Sequence, residues 1–182
     1  MRFYKKIMLK DGRECILREC RASDARAVLD TFLRTHAETD YMLSYPDENT
    51  FTVASERQYL TEINASDDGI ELCAEVDGTI VGTAGISYVG DKYKVCHRAE
   101  FGVGVEKKFW GLGIGRALSE ACIDCAREAG YVQLELDVVA DNIPAVKLYK
   151  SLGFLEFGRN PKGFRSRISG WQELILMRLE LK

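Results

Sequence analysis

Alternating apolar and polar residues recur along the chain in short runs, and each such run predicts a β-strand. The clearest run, "YVQLELDVV" at 131–139, places Val132, Leu134, Leu136 and Val138 on one face. Four other runs also predict strands: "RECILREC" at 13–20, "VCHRAEFGVGV" at 95–105, "GFLEFG" at 153–158 and "WQELILMRLEL" at 171–181.

A hairpin signal lies between two further apolar runs in "GIELCAEVDGTIVGTAGISYV", residues 69–89. The runs are separated by Asp77-Gly78, and Asp-Gly readily adopts the left-handed backbone conformations that a two-residue hairpin turn requires. This segment therefore predicts two antiparallel strands joined by a tight turn.

Apolar residues spaced three and four apart predict four helices. Ser23 and Asn142 are expected to cap the first and the last of them, while Gly130 and Gly153 are expected to end the third and the fourth. The order β-α-α-β-β-β-α-β-α-β-β predicts a single α+β or mixed α/β domain over 1–182. The helices cover "DARAVLDTFLRTH" at 24–36, "ASERQYLTEINAS" at 54–66, about 115–129, and "IPAVKLYKSL" at 143–152.

Composition narrows the class of protein. With 46% hydrophobic and 29% charged residues, the chain has the content of a globular domain. Its net charge of −3 argues against a nucleic-acid partner or an anionic-membrane surface. The start, "MRFYKKIMLK", lacks the apolar run of a signal peptide, and no window reaches the roughly 20 apolar residues of a membrane span. A cytoplasmic location is therefore expected.

Six cysteines without an export signal are expected to be reduced thiols. Cys122 and Cys125 form a C-x-x-C pair, which is compatible with redox chemistry or with half of a zinc site. Both also fall on the apolar face of the third predicted helix, and no second C-x-x-C exists. We therefore expect them to pack in the core, and we expect no metal site.

The stretch "FWGLGIGRAL" at 109–118 joins a predicted strand to a predicted helix through three alternating glycines. This arrangement points free helix N-terminal amides at an anion, and phosphate is the usual ligand. A Walker loop is excluded because Arg116-Ala117 stands where Lys-Ser or Lys-Thr is required. The dinucleotide pattern G-x-G-x-x-G fails as well, because Arg116 occupies its last position. The alternative is a tight connection with no ligand.

Together with "LELDVVADNIPAVKLYKSLGF", this loop resembles the GNAT superfamily of acetyl-CoA-dependent N-acetyltransferases. The family pattern Gln/Arg-x-x-Gly-x-Gly/Ala is matched at Gly113 and Gly115, with Trp110 in the first position. The resemblance covers about residues 70–157 closely and the preceding segment loosely. The second motif is matched at Asn142, Ala145, Leu148, Tyr149, Gly153 and Phe154.

The resemblance implies a single-domain fold with a mixed, mostly antiparallel sheet flanked by helices. It implies that acetyl-CoA lies in a V-shaped split between the strand ending at Val105 and the strand at 131–139. Gly102 and Gly104 would leave one strand face open to the pantetheine arm, and a bulge there would free backbone groups. The expected cofactor-binding residues are Val103, Gly104, Val105, Trp110, Gly111, Leu112, Gly113, Ile114, Gly115, Arg116, Asn142 and Tyr149.

Acetyl transfer to an amine requires an uncharged nitrogen, a polarised thioester and a proton for the leaving thiolate. By position, Tyr149 matches the family tyrosine that protonates the sulfur, although it also fits plain core packing. Glu100 matches a strand position that supplies a glutamate base in several relatives. His97, Glu135, Asp137 and water are the alternatives for the base, and a surface charge is the alternative for Glu100.

The acceptor is left open by the sequence: a small amine, a polyamine, an antibiotic or a protein N-terminus all fit. The loop "AETDYMLSYPDENT" at 37–50 carries acidic and aromatic groups that suit a cationic amine, or it is simply a solvated loop. A non-catalytic acyl-CoA sensor is the alternative function, and a homodimer through the apolar tail at 171–181 is a further hypothesis. The loop residues concerned are Glu38, Asp40, Tyr41, Tyr45, Asp47 and Glu48.

Overall fold

Over residues 1–181, the part of the chain that the computed structural model describes, eight β-strands and four α-helices form. In chain order they are β1 (Tyr4–Met8), β2 (Glu14–Glu19), α1 (Ala25–Glu38), α2 (Val53–Ala65), β3 (Ile70–Val76), β4 (Thr79–Tyr88), β5 (Arg98–Val105), α3 (Ile114–Glu128), β6 (Gln133–Val139), α4 (Ile143–Ser151), β7 (Leu155–Ser166) and β8 (Gly170–Glu180). This confirms the predicted α/β class.

All eight strands form one sheet in the order β1-β2-β3-β4-β5-β6-β8-β7. Neighbouring strands are antiparallel except β5 and β6, which run parallel. Those two strands pair only from Arg98–Gln133 to Glu100–Glu135 and then diverge. The divergence opens the sheet at its centre, as the expected V-shaped split requires.

Helices cover both faces of the sheet. On one face, Val28 of α1 and Leu60 of α2 pack with Cys73 of β3 in a small buried cluster. On the other face, α3 and α4 pack on the larger core, which contains Cys122 and Cys125 as buried free thiols. The core position predicted for this C-x-x-C pair is confirmed, and burial raises the pKa of both thiols.

The predicted hairpin is confirmed, because Asp77 and Gly78 both have positive φ, 51° and 74°, at the turn between β3 and β4. The α1 cap differs from the prediction. A short 3-10 turn precedes that helix, so Asp24 rather than Ser23 occupies the N-cap position.

Two strands depart from the sequence prediction. β1 was not expected, because this edge strand buries little and its residues are mostly exposed. β7 extends to Ser166, well past the predicted "GFLEFG", and forms a long hairpin with β8. The apolar tail is therefore not a free edge, since β8 is paired on both sides by β6 and β7. None of the helices in residues 1–181 is both long enough and apolar enough to cross a membrane.

Candidate active site

A cleft of about 1520 Å³ opens where β5 and β6 diverge. One end of it, named the phosphate end after the ligand expected from the sequence, is bounded by the glycine loop at 110–116 and the start of α4. The other end, named the acceptor end after the expected amine, is bounded by α1, Tyr59 of α2 and the strand face that these helices cover. The glycine loop and the second motif, which begins at Asn142, are separated in sequence but line the same cavity.

The wall formed by β5 exposes backbone hydrogen-bonding groups. Glu106 N donates to Val81 O at 2.9 Å, and Val89 N donates to Arg98 O at 3.0 Å. The even-numbered residues of β5 therefore direct their N–H and C=O groups towards β4. The N–H and C=O of Val103 therefore point away from β4, into the split. Pairing on that side ends at Glu100, and Val103 has no partner there within residues 1–181.

The expected bulge in β5 is not observed, because β4 and β5 pair in continuous register from Tyr88 to Gly82. Divergence from β6 frees the backbone groups instead. The glycine face also differs from the expectation: a Cβ on Gly102 would meet nothing within 4 Å, but one on Gly104 would lie 3.5 Å from Met42 and Thr35. That face therefore looks towards α1 and the loop after it.

The glycine loop presents unpaired amides at the start of α3. Gly111 and Gly113 have φ of 77° and 102°, and Gly113 is the N-cap. The first helical bond runs from Ala117 N to Gly113 O at 3.1 Å, so the three amides from Ile114 to Arg116 have no partner inside the helix. A Cβ on Gly111 or Gly113 would meet no protein atom within 4 Å, so the space before these amides is open.

Two residues of this loop behave differently from their neighbours. Leu112 is absent from the cleft lining, because its side chain packs against the core, and its carbonyl accepts from Lys10 N at 3.3 Å. Trp110 does line the cleft, and its indole Nε1 donates to Val105 O at 2.6 Å. This bond ties the loop to the end of β5.

Charged side chains divide between the two ends of the cleft. Lys10, Arg116 and Lys147 line it near the glycine loop and α4. Arg116 donates to Ser151 Oγ at 2.6 Å and lies 3.6 Å from Glu120. The carboxylates that line the cleft come from the strands: Glu71, Glu100, Glu135 and Asp137.

From α4, both expected residues reach the cleft. Asn142 Oδ1 accepts from Ala145 N at 3.3 Å, which confirms its role as N-cap. The Tyr149 ring lies edge-on to Phe101, with centroids 6.1 Å apart, and 5.8 Å from Phe154. Burial raises the pKa of Tyr149 to about 12, and its hydroxyl has no hydrogen-bond partner among the described residues. Tyr149 therefore packs in the core and also lines the cleft.

The candidate bases differ in their exposure to the cleft and in their charged neighbours. Glu100 is exposed in the cleft, opposite Ser87 of β4 and Glu135 of β6. Glu135 is bound by the Arg98 guanidinium, which lowers the pKa of its carboxyl. Burial, together with the charge of Glu135, raises the pKa of Asp137. His97 is not in the cleft lining.

A further carboxylate, Glu71 of β3, lines the same cleft and was not singled out from the sequence. Its Oε2 lies 3.5 Å from the hydroxyl of Tyr59, and burial together with the nearby Glu56 raises the pKa of Glu71 to about 7. The one signal in the sequence is a glutamate between apolar residues in "GIELCAEV". Nothing in that pattern shows that its neighbour across the sheet is a glycine.

The acidic loop after α1 does not supply these carboxylates. Asp40 accepts from Ser166, Ser169 and Tyr45 at 2.6–3.0 Å, so it holds the loop to the β7–β8 turn. Hydrogen bonds from these hydroxyls outweigh the effect of burial and lower the pKa of Asp40. Arg167 of the same turn binds Asp47 at 2.8 Å and Glu48 at 3.3 Å. Glu38 accepts from Lys107 N, and Tyr41 lines the cleft.

Metal ligands are not gathered at this site. Over residues 1–181, no group of three or more His, Cys, Asp or Glu side chains is arranged to hold a metal ion.

Comparison with known proteins gives matches over most of the chain. The model of the acetyltransferase (GNAT) family matches residues 31–154. The L-amino acid N-acetyltransferase AaaT of Escherichia coli is 29% identical over 144 residues, which cover 78% of this chain and 83% of that protein. The N-alpha-acetyltransferase RimI of Mycobacterium tuberculosis is 40% identical over 92 residues, which cover 50% of this chain and 56% of that protein.

A solved structure matches the whole fold. A GNAT-family acetyltransferase from Streptococcus pneumoniae superposes with a TM-score of 0.87 at 27% identity, and the match covers 92% of this chain and 99% of that one. The residues matched by the family model, 31–154, include both the glycine loop and the α4 motif.

Proposed function

The chain belongs to the acetyltransferase (GNAT) family, and we propose that it transfers the acetyl group of acetyl-CoA to a primary amine held at the acceptor end of the cleft. The observation that carries the proposal is the split between β5 and β6, which leads directly onto the unpaired amides of α3. The β5 wall of the cleft offers unpaired backbone groups, and the phosphate end offers a site for an anion.

The phosphate end fits the pyrophosphate of acetyl-CoA. Free helix N-terminal amides and the positive end of the helix dipole favour an anion, and the glycines leave room for it. Lys10, Arg116 and Lys147 add positive charge along the same end. The residues proposed to hold the cosubstrate are Gly111, Gly113, Ile114, Gly115 and Arg116, with Trp110 positioning the loop.

The pantetheine arm fits along the open edge of β5. Its amides can pair with the N–H and C=O of Val103, while Val105 and Gly104 complete that wall and Asn142 faces it from α4. The Val103 N–H is then the group placed to donate to the thioester carbonyl oxygen as negative charge develops on it. Leu112 is left out of this binding set because it packs in the core.

Transfer then proceeds by direct attack. The nitrogen lone pair forms a bond to the acetyl carbon, the C–S bond breaks, and the Tyr149 hydroxyl gives its proton to the sulfur. Burial keeps this hydroxyl protonated at neutral pH, as a general acid requires. Tyr149 then recovers a proton from the nitrogen as the amide forms.

The acceptor end suits a cationic amine because its charged lining is carboxylate. The names of the two relatives describe acetylation of L-amino acids and of α-amino groups. We therefore propose an acceptor with a primary ammonium group, held by Glu71, Glu100 or Asp137 before it reacts.

Calorimetric titration with acetyl-CoA, followed by a thiol-release assay, tests this proposal. The acceptor panel contains L-amino acids, short peptides with free N-termini, polyamines and aminoglycosides. Micromolar binding and turnover of one class are expected. Binding without turnover of any acceptor would contradict the transferase assignment, and absence of binding would contradict the placement of acetyl-CoA.

A further inference from the structure

A strip free of side chains runs across the sheet beside Glu71. In the strand register, Glu71 of β3 lies opposite Gly85 of β4, and Gly85 lies opposite Gly102 of β5. All three residues line the cleft. The glycines therefore form a flat floor between Glu71 and the edge of β5 that faces the split.

The Glu71 carboxylate lies directly over this floor. A Cβ built on Gly85 would collide with Glu71 Oε2, so the carboxylate occupies the space that any side chain at position 85 would take. A Cβ on Gly102 would meet nothing within 4 Å. Adjacent strands are about 4.8 Å apart, so open space of roughly one strand spacing separates the carboxylate from the position above Gly102.

The surroundings of Glu71 leave its charge uncompensated. The Tyr59 hydroxyl lies 3.5 Å from its carboxylate, Glu56 of α2 and Thr83 of β4 lie near it, and the Cys20 N–H donates to the Glu71 carbonyl at 2.7 Å. None of the groups that act on this carboxyl within residues 1–181 is cationic. A bound ammonium would supply the missing positive charge.

We propose that Glu71 is the general base of the reaction: its carboxylate takes a proton from the acceptor ammonium held above Gly102, next to the thioester at Val103. This inference rests on the proposed function. The N–H bond breaks, the proton passes to Glu71, and the freed lone pair attacks the acetyl carbon. Glu71 afterwards releases that proton to water, which leaves the amide, CoA thiol and one proton as products.

The raised pKa of Glu71 agrees with this role. Its pKa is raised to about 7 by burial and by Glu56, against the opposing effect of the nearby Thr83 and Tyr59 hydroxyls. A general base works best when its pKa lies near the working pH. Glu100, the base expected from the sequence, is exposed beside Glu135 and is the competing assignment.

The test compares Glu71→Gln with Glu100→Gln and with a control, Glu62→Gln. Glu62 is exposed on α2, accepts from Gln58 at 2.8 Å and does not line the cleft. The acceptor with the highest turnover in the amine panel is used, and kcat/KM is measured by thiol release from about pH 5 to about pH 9. Acetyl-CoA affinity and thermal unfolding of each variant are measured alongside.

We expect kcat/KM of the wild type to rise with pH through a pKa near 7. Glu71→Gln should lower kcat/KM about a hundredfold or more and remove this acid limb, with acetyl-CoA affinity within a few-fold. Glu62→Gln should match the wild type.

Retention of the acid limb and rate by Glu71→Gln, or their loss in Glu100→Gln alone, would overturn the assignment to Glu71 while leaving the proposed function intact. Absence of turnover in the wild type would overturn both.

Discussion

Gly113 and Gly130 stand at opposite ends of α3 and allow backbone strain to be separated from ligand binding. Both have positive φ, 102° and 83°, and a Cβ on either would meet no heavy atom within 4 Å. A residue with a side chain costs roughly 1–2 kcal/mol in this left-handed region. Gly113→Ala and Gly130→Ala should therefore each lower the free energy of unfolding by about the same amount, roughly 1–2 kcal/mol.

The two variants should differ in their affinity for acetyl-CoA. Gly113 lines the phosphate end of the cleft, whereas Gly130 does not line the cleft. An alanine at position 113 places a methyl group in the open space before the α3 amides and turns them from their present direction. Losing one hydrogen bond to a charged group costs about 1.5–3 kcal/mol, so the Kd should rise about ten- to a hundredfold.

Urea unfolding followed by circular dichroism measures the first effect, and calorimetric titration with acetyl-CoA measures the second. We expect matched losses of stability and a change of Kd confined to Gly113→Ala. Equal Kd values for the two variants would refute the assignment of the loop to the pyrophosphate. A much larger loss of unfolding free energy in one variant would instead show that backbone strain does not account for both losses.

Three further predictions concern the acid, the core and an ion pair. Tyr149→Phe should lower thiol release about a hundredfold with acetyl-CoA affinity within a few-fold, and unchanged turnover would remove the role of this hydroxyl as acid. Phe154→Ala, at a side chain only 1% exposed, should cost about 3–5 kcal/mol in urea unfolding, whereas Leu155→Ala, at 66% exposure, should cost about 0.5 kcal/mol or less. Burial opposes ionisation of Asp24, but hydrogen bonds from Arg18 outweigh it and lower the pKa of this carboxyl. The resulting stabilisation is present above the unfolded pKa of about 3.9 and is lost as pH falls through the folded pKa, so Asp24→Asn should flatten the acid decline of stability between about pH 5 and about pH 2.

Local patterns predicted the elements that bury one complete face. The strand β6 alternates because Leu134, Leu136 and Val138 are buried, whereas Glu135 is half-buried and Asp137 is exposed. The Asp-Gly turn was predictable as well, because its backbone conformation is a property of the residues themselves. In both cases the residues that cause the structure lie within the element itself, so the local sequence is enough to predict it.

Elements that depend on a partner strand were not predictable in the same way. β1 has no buried face of its own and exists because β2 offers it an edge. The second half of β7, up to Ser166, has no fully buried residue, and it is a strand because β8 pairs with it. In β1 and in the second half of β7, the strand is stabilised by hydrogen bonds to the neighbouring strand, and these leave no alternating apolar pattern in the sequence.

The same distinction applies to the candidate site. The glycine loop and the α4 motif are contiguous in sequence, so their residues could be named in advance, and every residue expected to bind the cosubstrate except Leu112 lines the cleft. The roles of the carboxylates in the acidic loop after α1 could not be judged locally, because their partners Ser166 and Arg167 are more than a hundred residues away. Glu71 was missed for the same reason, since Gly85 and Gly102 create its open surroundings from other strands.

Separation of charge along the cleft connects these observations to the proposed reaction. The net charge of −3 conceals a cavity with Lys10, Arg116 and Lys147 at one end and strand carboxylates at the other. A polyphosphate and an ammonium attract opposite ends of such a cavity, so each proposed substrate is repelled from the other's position. In the proposed complex the acetyl group, which is uncharged, lies between them at the divergence of β5 and β6, next to Val103 and Tyr149. Under the proposed function, the split in the sheet sets both the place of reaction and the direction from which each substrate enters.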